Sequence, residues 1–319
     1  MKKTISMFAL TIILSTVVYI TSCGTPFSPV SVDWVLQDLA ETDGYVTDIS
    51  FTNASEGWAC TDTGYIYRYD GASWVVSSYF EKEGDYPGGK SYFGIYDIDF
   101  SAPDDGWAVG YTHFYPFMPG IFHYDGERWE DVTPEGLLWY FFVSVDAVGP
   151  DDVWIGGSYG FDAVMLRYDG VSFSEVVFPH GGTIWAITFL RPDYGIATSY
   201  DRLLFYDGIQ WQTDENDYPI CDVYLDGNAM GGVYFGDEEN GWIVDGYKPT
   251  CEIQLETIAF RYNGNDWSEI RYFSGMYDVL ECVHGNGVDN IWVVSRFGVW
   301  RYNGSIWMDV PKPKDAEPL

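Results

Sequence analysis

Short apolar stretches alternate with polar turns along almost the whole chain. In the stretch from Ile98 to Trp129 an apolar strand (Ile98, Phe100) runs into Pro103-Asp104-Asp105-Gly106 and a strand led by Trp107. An aromatic strand (Phe122, Tyr124) then precedes Asp125-Gly126 and a last strand opened by Trp129. Apolar residues two apart mark half-buried strands, and Asp-Gly supplies the positive φ of a tight hairpin turn. The unit is four short strands, labelled a to d, joined by turns.

This quartet recurs. Counted on the residue leading strand b (Trp58, Trp107, Trp154, Ile196, Trp242, Trp292), the spacings are 49, 47, 42, 46 and 50 residues. An aliphatic stands nine positions before each: Ile49, Ile98, Val145, Ile187, Val233 and Val283. Downstream, Tyr-Asp/Asn-Gly-x-x-aromatic closes every copy, from Gly71/Trp74 to Gly304/Trp307. Four strands every 40 to 50 residues is the period of a β-propeller blade. The expected fold is all-β, a propeller of six four-stranded blades, with seven as the alternative. Ten of the 14 Trp occupy the two repeat positions, which assigns them to packing between blades rather than to a binding platform.

Antiparallel blades put the a–b and c–d turns on one face, and the b–c turns and d–a crossings on the other. The a–b and c–d turns are short and uniform. The distance from the strand-b marker to the turn Gly instead varies as 13, 19, 16, 12, 22 and 12 residues. Loops of varied length on a rigid scaffold carry function, so this variable face is the candidate binding face. Its aromatic members are Tyr111, His113, Phe114, Tyr115 and Phe117 in one b–c loop, and Trp139 and Tyr140 in the following crossing. Such residues stack on sugars or seat protein partners; covering the channel mouth is the plainer alternative. Cys221 and Cys251 fall in long connections of this face beside one blade and form a candidate disulfide, whereas Cys60 and Cys282 read as buried free thiols in strands.

The ends add a compartment. Lys2-Lys3, an apolar run and Ile20-Thr21-Ser22-Cys23 read as an export signal over residues 1–22. The ending resembles the lipobox of bacterial lipoproteins, which implies lipidation at Cys23, a tether over 23–31 and a bacterial cell-envelope protein held by its lipid, periplasmic or at the cell surface. The propeller is expected over 32–310, with an extra strand near Trp34, and a loose tail over 311–319. Without Lys2 and Lys3 the chain has 14 basic against 48 acidic residues, a net charge of −34. Such a surface repels nucleic acid and polyanions.

Chemistry is sparse. The carboxylate pairs Asp104-Asp105, Asp151-Asp152 and Glu238-Glu239 recur at one turn position, where Asp supports turn geometry. Arg68, Arg167, Arg261 and Arg301 likewise share one repeat position before the Tyr, a blade-edge feature. No residue is assigned a catalytic or metal-binding role, and no cofactor is expected. Calcium is the one ion considered, at Asp214–Asp217 or Asp237–Asn240, without EF-hand spacing.

The DDGWAVG-like and HYDGxxW-like pieces between about residues 45 and 310 resemble the repeats of bacterial secreted and lipoprotein propellers grouped with kelch, sialidase-type and photosystem-assembly-factor-type families. The sialidase Asp-box Ser and one spacer are missing, as is the kelch double glycine, so the resemblance implies the fold and brings no catalytic residue. The expected role is a non-catalytic module that binds a glycan or an envelope or extracellular protein, with a monomeric body. The alternative is a carbohydrate-active enzyme using Asp214, Glu215 or Asp217 on the variable face.

Overall fold

The computed structural model describes residues 44–83, 90–113, 117–178, 182–199, 203–213, 230–249, 255–264, 267–273, 280–285, 287–295 and 299–310. They form six antiparallel sheets, each built in simple sequence order, as a six-bladed β-propeller. Blade 1 comprises Val46–Asn53, Glu56–Thr61, Tyr65–Tyr69 and Trp74–Tyr79. Blade 2 comprises Lys90–Ala102, Asp105–Thr112, Pro119–Tyr124 and Trp129–Asp131. Blade 3 holds Tyr140–Gly149, Asp152–Tyr159, Asp162–Tyr168 and Phe173–Glu175, and blade 4 Ile184–Arg191, Tyr194–Ser199, Leu203–Tyr206 and Trp211–Thr213. Blade 5 holds Met230–Asp237, Asn240–Pro249, Leu255–Tyr262 and Trp267–Phe273, and blade 6 Leu280–Gly285, Ile291–Ser295, Val299–Tyr302 and Trp307–Asp309. One departure from four strands occurs: Glu81–Glu83 pairs with the extended start of strand a in blade 2.

The repeat markers do what their pattern requires. The a strands of consecutive blades lie side by side from blade 1 to blade 6, so strand a is innermost and faces the channel. In blades 1, 2, 3 and 5 the Trp of strand b is buried against the next blade. Trp58 packs on Phe100, Tyr124 and Trp129, with ring centroids 5.0, 4.7 and 5.7 Å away. Trp154 repeats this with Phe189, Tyr206 and Trp211 at 5.1, 5.0 and 5.6 Å. Edge and offset ring contacts of this kind favour a fixed blade-to-blade angle.

On the turn face the c–d turns are built alike. The turn Gly has φ between 85° and 92° in all six blades (Gly71, Gly126, Gly170, Gly208, Gly264, Gly304), a region that costs other residues energy. A side chain would also collide there, since a Cβ on Gly170 would sit 2.8 Å from that of Asp151. The preceding Asp accepts two backbone N–H groups, as Asp125 does from Glu127 and Arg128 at 2.9 Å each. Those bonds hold the Asp70, Asp125, Asp169 and Asp207 carboxyls below their ordinary pKa.

Candidate functional site

The variable-face aromatics of blades 2 and 3 form a continuous crescent. Strand a of blade 2 contributes Tyr92 and Tyr96, and the end of strand b contributes Tyr111 and His113. Tyr96 stacks on Tyr111 at 4.7 Å, and Tyr92 lies 5.3 Å from the His113 ring. The Tyr96 hydroxyl meets His113 Nε2 at 3.3 Å. Burial, then the hydrogen bond with Tyr111, pushes the Tyr96 phenol above its ordinary range. The crescent continues through Phe141, 4.9 Å from Tyr111 and 5.4 Å from Phe117, and ends at Trp139, 6.2 Å from Phe117. Beside it Tyr140 meets Tyr159 at 5.0 Å.

Trp139 has φ of 70°, the one positive φ outside glycine among the described residues. For a bulky side chain this is a strained conformation. The backbone holds it: Trp139 N–H donates to the Phe117 carbonyl at 3.3 Å, joining the d–a crossing to the b–c loop of blade 2. Its indole remains part-exposed.

Of the residues singled out in the sequence, Tyr111, His113, Phe117 and Trp139 thus come together, while Tyr140 packs on Phe142 and Tyr159; Phe114 and Tyr115 lie outside the described residues, as do Cys23, the strand near Trp34, the tether, the tail, Cys221, Cys251, Asp214, Glu215 and Asp217. Cys60 is a buried thiol in a strand and Cys282 a half-buried one, and neither is in a disulfide. Tyr92, Tyr96 and Phe141 were not singled out as site residues. All three lie inside strands, where alternation alone reads an aromatic as core.

A second feature lies at the channel wall. In all six blades a β-bulge in strand a precedes the residue before the marker aliphatic. In blades 1 to 3 the residues flanking the marker bond to the free inner edge of the next blade. Asp48 accepts the Ile98 N–H at 3.2 Å, Asp97 that of Val145 at 2.7 Å, and Ser144 that of Ile187 at 3.0 Å. One step along, Asp99 accepts the Ala147 N–H at 2.8 Å and Asp146 that of Phe189 at 2.9 Å. An innermost strand has no further strand to pair with, so its N–H groups need such partners.

These carboxylates touch the channel yet lie deep within the ring. Depth pushes Asp97 and Asp146 well above the ordinary value, with the charges of Asp48 and Asp99 adding to the effect. Asp48 and Asp99 are raised by burial too, partly offset by their hydrogen bonds. The hydrogen bond between the two carboxyls favours the proton on Asp97 and the charge on Asp48. The charge of His284 in blade 6 also reaches Asp48, as closure of the ring requires. Among the described residues no group of three or more His, Cys, Asp or Glu has the arrangement of a metal site.

The repeated Arg residues are more than an edge feature. Each lies over the strand-b Trp of its own blade: Arg68 on Trp58 at 5.3 Å, Arg167 on Trp154 at 4.8 Å, Arg261 on Trp242 at 5.8 Å and Arg301 on Trp292 at 5.4 Å. His123 replaces Arg in blade 2 and stacks on Trp107 at 4.4 Å. The residue two before the Trp completes each stack, as Asp152 does for Arg167 at 2.8 Å, Asp105 for His123 at 2.7 Å and Asn290 for Arg301 at 2.7 Å. Burial would raise the Asp105 carboxyl, but the bonds from His123 and Ser101 prevail and hold it low. These groups are engaged in blade structure, in keeping with their repetition.

No family model matches the chain, and no curated protein sequence does. Solved structures do. A structure of YCF48 bound to D1 peptide aligns over 84% of this chain and 81% of its own, at 14% identity and a TM-score of 0.58. A catalytically inactive virginiamycin B lyase from Staphylococcus aureus with quinupristin aligns over 88% of each chain, at 14% identity and a TM-score of 0.61. The extracellular domain of the putative hybrid two-component system BT4673 from B. thetaiotaomicron matches 88% of this chain over 35% of its own length, at 14% identity and a TM-score of 0.59. Identities this low speak for architecture alone, and they agree with the six sheets: the chain is a β-propeller.

Proposed function

We propose that the chain is a lipid-anchored, non-catalytic binding module of the bacterial cell envelope, which seats a protein segment or a glycan on the aromatic crescent of blades 2 and 3. The observation that carries this reading is Trp139, held part-exposed in a strained conformation at the end of a row of rings in edge and tilted contact. Rigid aromatics with few rotatable bonds lose little entropy on binding, which is why Trp and Tyr dominate binding hot spots. The peptide on YCF48 and the quinupristin on the lyase belong to those proteins; they support a binding role here only as examples of what the fold accommodates.

The test places a photo-crosslinking residue at Tyr140 in the full chain in cells, and another at Val171 on the opposite face. The same chain is screened on a glycan array. A partner crosslinked from Tyr140 and not from Val171, or a glycan bound specifically, should be lost in the Phe117→Ala/Trp139→Ala variant. A loss of roughly 30-fold or more in affinity is expected for hot-spot aromatics. Equal crosslinking from both positions, or full binding by the double variant, would remove the crescent as the site.

A further inference from the structure

The chain begins and ends its propeller on the variable face. Strand a of blade 1 starts there, and Tyr45 is tied to the b–c turn: its N–H donates to Asp62 Oδ1 at 2.7 Å, and Asp62 N–H to its carbonyl at 3.0 Å. At the other end Val310 N–H donates to the carbonyl of Val299 at 2.9 Å, where strand c of blade 6 leaves the same face. Blade 3 raises apolar side chains on this face. Phe161, at the tip of the turn between Tyr159 and Asp162, is 97% exposed and Val177 is 93% exposed. Leu138 and Tyr159 are about half exposed. Gly182 N–H donates to the Phe161 carbonyl at 3.2 Å and holds that tip in place. The turn face also exposes apolar side chains, Val171, Ile209 and Ile306, but there they stand singly among exposed carboxylates, Asp70, Asp104, Asp125, Asp151, Asp169 and Asp207.

We propose that this rim of blade 3 rests on the headgroup surface of a lipid bilayer, with the acidic turn face directed away from it. The geometry rests on the anchor reading above. From Cys23 to Gly44 the chain spans at most about 75 Å fully extended, and about 25 Å as a flexible coil. A body held near the bilayer by an attachment on its variable face turns that face to the lipid more readily than the other. Phe and Tyr side chains settle at the water–lipid boundary, and an exposed apolar patch marks a contact surface. The turn-face carboxylates are repelled by anionic headgroups and favour the same orientation. A partner on the crescent would then be met at the membrane surface.

The full chain is reconstituted into phosphatidylcholine–phosphatidylglycerol vesicles with bimane coupled to Phe161→Cys or to Val171→Cys. Val171 is 87% exposed on the turn face. With brominated lipid, quenching several-fold stronger at position 161 than at 171, after subtraction of the unsubstituted chain, is the expected result. Equal quenching at both positions, or none at 161 at saturating lipid, overturns the proposal. The mass of the residue at Cys23 reports the anchor separately. An unmodified Cys23 with preferential quenching at 161 removes the anchor and keeps the rim. A lipidated Cys23 with no preference keeps the anchor and removes the rim.

Discussion

Blades 1 to 3 and blades 4 to 6 share one backbone and differ in the chemistry set on it. At the two positions flanking the inner marker, blades 1 to 3 carry Asp48/Ser50, Asp97/Asp99 and Ser144/Asp146; blades 4 to 6 carry Ala186/Thr188, Gly232/Tyr234 and Cys282/His284. Two residues before the strand-b marker, the first half has Glu56, Asp105 and Asp152, and the second has Tyr194, Asn240 and Asn290. Identical bulges and turns thus support a carboxylate-latched half and a neutral half. The lesson is that backbone geometry sets where an inner-edge N–H must be satisfied, while the side chain that satisfies it is free to vary. Blade 5 bonds at a different place: the Tyr234 hydroxyl accepts the N–H of Gly287, beyond strand a in the a–b turn of blade 6, at 2.9 Å.

The largest effect should come from removing a latch. Asp99→Ala leaves the Ala147 N–H without its acceptor and should cost about 1–3 kcal/mol in urea unfolding. Thr188→Ala, the equivalent change in blade 4, should stay within about 0.5 kcal/mol. Equal losses at the two sites would mean that the halves differ in composition only.

The next effect is one of pH. A carboxyl whose folded pKa is raised binds protons in the native state that the unfolded chain has already released. Its contribution is complete below the unfolded value of 3.8 and is lost as pH rises through the higher folded value. The c–d turn Asp residues act oppositely: their stability is present above 3.8 and lost as pH falls below it. Stability should therefore be greater at about pH 5 than at about pH 8. Asp97→Asn, which cannot ionise beside Asp48, should flatten that difference, whereas Asp162→Asn on the exposed rim should leave it. Parallel curves for the two variants would assign the pH dependence to net charge instead of the latch.

The blades are legible in the sequence because each strand carries its own period, and Trp58, Gly71 and Trp74 recur with their spacing intact. Tyr111, Phe117 and Trp139 are legible because aromatics in connecting loops break the polar norm. Tyr96 and Phe141 are not, because they lie inside strands where an aromatic reads as core. The latch escaped as well, although Thr47-Asp48-Ile49-Ser50 and Tyr96-Asp97-Ile98-Asp99 display it. Alternation says which side of a strand a residue takes; it does not say that strand a has an unpaired edge, which follows only once the sheets are closed into a ring. The Arg-on-Trp stacks were hidden for a like reason: Arg167 and Trp154 are 13 residues apart and become cross-strand partners only through the b–c register.

The smallest effect sharpens the comparison at the second set of positions. In blade 6 Asn290 Oδ1 accepts from Arg301 Nε at 2.7 Å and from the Trp292 indole at 3.2 Å. A carboxylate offers acceptors for both donors, so Asn290→Asp should keep the geometry and add an ion pair of the kind Asp152 makes with Arg167. Burial lowers the Arg301 pKa, and the nearby Asp289 partly offsets this; a second carboxylate would restore it further. The pair is part-exposed, so a gain of only about 0.2–1 kcal/mol is expected, fading as salt is raised. Asp152→Asn should lose a similar amount in blade 3. A loss from Asn290→Asp would show that blade 6 is fitted to a neutral partner, with Asp289 already supplying what charge Arg301 can use; the division between the halves would then be a property of each socket, beyond the identity of one side chain.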